Sequence, residues 1–125
     1  MYQSYVAVAP RLEDFPRLLD KMGDLMRQDY DWSAEIARIT APTMLVYGDH
    51  DAIPPSHMAE FFALLGGGQK DAGWDGAGMA SARLAVLPGL THYNVFLSPR
   101  LADIVAPFLH GEEETPRWGE VAAAH

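Results

Sequence analysis

The apolar positions Leu12, Phe15, Leu18, Leu19, Met22, Leu25 and Met26 recur at intervals of about three and four residues, the spacing that lines one face of a helix. A helix is therefore expected over Arg11 to Gln28. Pro16 falls in its first turn, where the missing N–H removes no hydrogen bond. Residues 1–10, before it, are apolar and unpatterned. A second short helix is expected over 33–38, with Ser33 as its N-cap, until Thr40-Ala41-Pro42 breaks the pattern. Residues 43–47 form an unbroken apolar run between Pro42 and Gly48, the mark of a strand buried on both faces.

Helix returns over 56–65, capped by Ser56, with Met58, Phe61, Phe62 and Leu65 as its apolar stripe. The glycine-rich stretch from Gly66 to Gly78 follows; no core could order it by itself, and a mobile surface excursion is expected. Arg83 to Leu87 is a second strand, ended by Pro88-Gly89, and a last helix runs from Pro99 to Leu109. The tail, 111–125, is acidic, then alanine-rich, and is expected to be disordered. Strand, helix, strand, helix with a long crossover is a βαβ unit, hence parallel pairing and an α/β class. Parallel sheets normally hold several strands covered on both faces. Two strands alone therefore read as the end of a larger sheet.

Composition narrows the function classes. A chain of 125 residues fits a single domain, and a hydrophobic fraction of 49% excludes wholesale disorder. The net charge of −8 disfavours nucleic acid and anionic membrane surfaces, whose phosphates it would repel. No apolar run approaches the ~18–20 residues of a spanning helix, and the start does not read as a signal peptide. A cytoplasmic location is the expectation. Cysteine is absent, which excludes disulfides, thiolate catalysis and cysteine-ligated zinc.

In open α/β sheets, ligands bind in the loops beyond the carboxyl ends of the strands. The first strand runs into Gly48-Asp49-His50-Asp51, the second into Pro88-Gly89-Leu90-Thr91-His92. A carboxylate bonded to one ring nitrogen of histidine fixes its tautomer and stabilises the imidazolium formed in base catalysis. Other readings of the first loop remain open. Either acid serves equally well as a turn residue. Asp49, His50, Asp51 and His57 together could offer oxygen and nitrogen ligands to a divalent ion, but their spacing matches no strong metal motif, so neither metal nor cofactor is expected. Asp49-His50-Asp51 is also similar to the D-x-D-x-[T/V] motif of haloacid-dehalogenase-type phosphatases, in which the first acid attacks phosphate. Against that, Ile53 replaces the Thr/Val and Gly48 intervenes after the strand. His50 and His57 are expected to face solvent, Trp74 to act as a packing anchor, and Tyr93 and Phe96 to pack the last helix.

The pattern Ala41-Pro42-Thr43-Met44-Leu45-Val46-Tyr47-Gly48-x-x-Asp51, followed by Leu87-Pro88-Gly89-Leu90-Thr91-His92, resembles the C-terminal part of the α/β-hydrolase fold family. The likeness covers about 31–110, with 1–30 similar to a helical segment from the cap that often covers these sites. It implies a C-terminal βαβα part of a larger parallel sheet, with Asp51 as triad acid, His92 as general base and Asp49 shaping the turn locally. It also implies a serine on a Gly-x-Ser-x-Gly elbow preceding both in the chain. The five serines, Ser4, Ser33, Ser56, Ser81 and Ser98, occupy no such motif. The implied parent activity is hydrolysis of an ester or related carbonyl compound, a small-molecule substrate. An aspartate nucleophile acting on halides or epoxides is the variant. Without a nucleophile this chain is expected to be inactive alone. The competing expectation is a non-catalytic interaction module, a homo-oligomer joined through the strand edge at Thr43–Tyr47 and the helix Leu12–Met26.

Overall fold

The computed structural model describes residues 1–112; the expectation for the tail lies outside them, except at Gly111 and Glu112. The chain divides into two compact units, Met1–Asp31 and Trp32 onward. In the first, helix α1 (Tyr2–Val6) gives the unpatterned N-terminal residues a helical turn. Its Tyr2 and Tyr5 rings lie 4.9 and 5.1 Å from that of Phe15, and the Tyr5 hydroxyl donates to the Arg11 carbonyl at 2.9 Å. A 3₁₀ turn (Leu12–Asp14) leads into α2 (Phe15–Met26), with Pro16 in the first turn.

The second unit begins with α3 (Ser33–Ile36), followed by β1 (Thr43–His50), α4 (Pro55–Leu64), β2 (Ala82–Thr91), a 3₁₀ turn (Val95–Leu97) and α5 (Pro99–His110). It is mixed α/β, with one two-stranded parallel sheet. The serines expected to cap do not. Ser33 and Ser56 lie inside their helices, Trp32 and Pro54 hold the cap positions, and neither helix has a side-chain cap bond. Instead, α4 is closed at its other end. Gly66, at φ +86°, lets the Gly66 and Gly67 N–H groups turn back to the Ala63 and Phe62 carbonyls, each at 2.9 Å. This is the Schellman arrangement that satisfies the last free carbonyls.

Both strands run further than the apolar pattern suggests. Thr43 to Gly48 pair in register with Ala82 to Leu87, and His50 then pairs with Thr91. Asp49 alone therefore faces Pro88, Gly89 and Leu90, an irregularity in which a proline is tolerated because the ladder is interrupted there. Pro88-Gly89 bulges β2 without ending it.

The expectation of a strand buried on both faces fails. Thr43 to Tyr47 are only half-buried, and among the described residues β1 has β2 as its one strand neighbour. Helix α4 packs on both strands and α5 on β1, yet the buried apolar residues among those described are Met58, Ala82 and Leu87. The glycine-rich stretch is tied down by its own turns. Asp71 and Asp75 accept the backbone N–H groups of Gly73 and Ala77 at 2.9 and 3.0 Å, and Gly78 N–H reaches the Ala72 carbonyl at 2.9 Å. Short acidic side chains reproduce the geometry of a backbone turn, so order arises here without a core. Trp74 is 79% exposed.

Candidate functional site

The carboxyl ends of β1 and β2 bring together Asp51 and His92, 41 residues apart in sequence. Asp51 Oδ1 lies 2.9 Å from His92 Nδ1. Three further groups shape the contact. Ile53 N–H donates to Asp51 Oδ1 at 2.9 Å and Gly48 N–H to Oδ2 at 3.3 Å. On the other side, Thr91 N–H donates to Asn94 Oδ1 at 2.7 Å, fixing the turn that carries His92. The Asp51 side chain is 3% exposed and that of His92 52%. An enclosed acid thus orients an imidazole whose far side is open to solvent.

Electrostatics set the proton positions. The Ile53 N–H, with His92 and Gly48 adding to it, holds the Asp51 carboxyl below the usual carboxylate range, against a partial desolvation that acts the other way. An ionised Asp51 can only accept, so neutral His92 carries its proton on Nδ1 and leaves the Nε2 lone pair available. Burial, and then the Asp51 charge, push the neighbouring Tyr47 hydroxyl above its ordinary value. Tyr47 remains a neutral phenol.

The pair opens into a cleft of about 530 Å³ lined by Val46, Tyr47, Asp51, Ile53, His92, Tyr93, Val95 and Phe96. Tyr93 and Phe96, expected to pack the last helix, are 76% and 64% exposed and stand at this cleft. The Tyr93 ring meets that of His92 edge-on, at 5.6 Å and 89°. None of the five serines lines the cleft. Comparison with protein-family models, curated proteins and solved structures finds no match to this chain.

Asp49 points elsewhere. Its Oδ1 accepts from Gly89 N–H at 2.7 Å and lies 2.8 Å from His50 Nδ1. His50, then the Gly89 and Leu90 backbone, lower its pKa against a partial desolvation. The local turn-shaping role expected for Asp49 is therefore replaced by a bond that spans 40 residues. His50 is exposed yet paired with Asp49, and exposed His57 meets the Phe61 ring edge-on at 6.1 Å. Among the described residues, no three histidine or acidic side chains gather as a metal site.

Gly48, immediately before Asp49, is needed for a steric reason. A Cβ at this position would lie 2.2 Å from the Leu90 carbonyl oxygen and 2.5 Å from its carbon. The bulged peptide of β2 crosses directly over Gly48 on its way to His92.

Proposed function

We propose that this chain supplies the acid–base part of an α/β-hydrolase-type site, with Asp51 orienting His92 and His92 Nε2 acting as general base. The observation that carries this reading is the 2.9 Å contact between Asp51 and His92 at the carboxyl ends of adjacent parallel strands. The nucleophile, a serine or an aspartate, is contributed from outside these 125 residues. A serine would pass its proton to His92 as it attacks an ester or related carbonyl carbon, and His92 would return that proton to the leaving group; an aspartate would attack already ionised, leaving His92 to take a proton from the water that hydrolyses the covalent intermediate. The apolar and aromatic lining of the cleft suits an uncharged organic substrate. The phosphatase alternative is less well supported, because Asp49 and Asp51 are engaged by different partners and do not converge on one point.

Loss of one triad member removes about 10⁴–10⁶-fold of the rate in serine proteases. The purified chain should accordingly hydrolyse p-nitrophenyl esters no faster than its His92→Ala variant, and no serine should be labelled by a fluorophosphonate. Stoichiometric labelling of any of the five serines would show a complete site and overturn the proposal. A second reading, an interaction module that pairs with another copy, is favoured by β1 having one strand neighbour among the described residues. Sedimentation of the same sample at micromolar concentration separates the two. A dimer supports pairing at Thr43–Tyr47 with the Leu12–Met26 face contributing, whereas a monomer with dispersed amide signals removes it.

A further inference from the structure

We propose that Asp49 is a positioning residue for His92, acting by holding the bulge of β2 in the shape that aims His92 at Asp51. The inference rests on the acid–base reading above for its functional meaning, but its geometry stands independently. Between the pairs Gly48–Leu87 and His50–Thr91, regular ladder pairing is suspended, and Pro88, Gly89 and Leu90 are opposed by Asp49 alone. Such a bulge has more backbone freedom than a paired strand, and His92 follows one residue beyond it. Something must fix its course.

Gly48 supplies the space, since the Leu90 peptide passes where a side chain would stand. Asp49 supplies the tie. Its carboxylate oxygen takes the Gly89 N–H at 2.7 Å, at the point where β2 has lost its ladder partners. A charged acceptor makes a stronger bond than a neutral one, which suits a link made at an exposed position. The contrast with Asp51 is direct. Asp51 accepts from Ile53, two residues on, as a turn acid does, and from His92. Asp49 accepts from no backbone group in its own loop; its backbone donor lies 40 residues away, on the neighbouring strand. Arg100 holds the adjacent Pro88 carbonyl at 2.9 Å from the other side, so the bulge is gripped at two successive residues. His50 Nδ1, on the same Asp49 oxygen, restrains the carboxylate itself.

The test is nitrogen–proton correlation spectroscopy of the full chain, at a pH where His92 is neutral. In the unmodified protein, His92 should carry its proton on Nδ1. Asp49→Ala should shift it toward the mixed tautomers of a free imidazole and move the Gly89 amide, while the amides of Met58 and Leu87 stay in place. Asp49→Asn, which keeps an acceptor oxygen, should restore most of the Nδ1–H form. If Asp49→Ala does not fold, Asp49→Glu provides the same reading, since its longer arm displaces the acceptor and should give a partial loss. An unchanged His92 tautomer in a folded Asp49→Ala or Asp49→Glu variant overturns the proposal, as does an Asn variant that behaves like Ala. No nucleophile enters this measurement. A negative result here is therefore distinct from fluorophosphonate labelling, which would sink the hydrolase reading and leave the Asp49 tie intact.

Discussion

Around Asp51 and His92, side-chain hydrogen bonds join residues 40 and 41 positions apart. A few residues back along the same strands, Thr43 to Tyr47 and Arg83 to Val86 are held by ladder bonds, with their side chains only partly covered. Val86 is 45% exposed in mid-strand. The polar end of the sheet is thus defined by directional bonds and its body by incomplete packing. Hydrogen bonds fix angles and partners, whereas apolar burial is non-directional and grows with area. The site can therefore be well shaped on a sheet whose apolar core is small, as long as the backbone between them stays in register.

The strongest way to break that relation is Gly48→Ala. The added methyl would meet backbone, which cannot rotate aside as a side chain would, so bulge and ladder must separate. A loss above about 3 kcal/mol in urea unfolding is expected, together with loss of the Asp51–His92 contact by NMR. An Ala variant of unchanged midpoint would mean that the Leu90 peptide does not cross Gly48. Leu87→Ala tests the body of the sheet. Leu87 is 5% exposed and pairs with Gly48 just before the bulge, so truncation should cost about 2–5 kcal/mol. If the two regions are held by different means, His92 should retain its Nδ1–H tautomer in whatever fraction stays folded. Ser56→Ala should do least. Its hydroxyl makes no cap bond, and a change within about 0.5 kcal/mol is expected of such a surface site. A loss near 1 kcal/mol would restore Ser56 to the capping role its sequence position suggests.

Ser56 shows where the sequence was misleading. A serine before an apolar stripe is a reasonable helix start, but Pro54-Pro55 fixes the entry one residue earlier, because proline at the first helical position is already set for the turn. The start of β1 was legible because Thr43 to Tyr47, four of these five residues apolar, leave little alternative between Pro42 and Gly48. Its continuation through Asp49 and His50 was not, since those rungs depend on pairing with a distant bulge. Pro88-Gly89 reads as a terminator for the same reason: its consequence depends on what lies opposite. The rule that chemistry gathers beyond the carboxyl ends of parallel strands pointed to the two loops, whereas the choice of Asp51 over Asp49 came from the resemblance to the α/β-hydrolase pattern. Asp49 carried no comparable signal. Nothing in its neighbours announces a bond to Gly89, and a turn role was the local default.

The parallel pairing of β1 with β2 also governs how this unit comes together in time. Helices α4 and α5 can begin from local contacts, but the ladder forms only after a loop of roughly 40 residues closes, as the Asp49–Gly89 separation shows. The entropy of closing it rises with the logarithm of its length, so doubling the loop adds only ~0.6 kcal/mol, about a threefold slowing. The crossover between the strands can therefore vary widely in length with little effect on refolding speed. A change in either strand that weakens their first meeting acts directly on the slow step, and both the ladder and the His92 contact wait on that encounter.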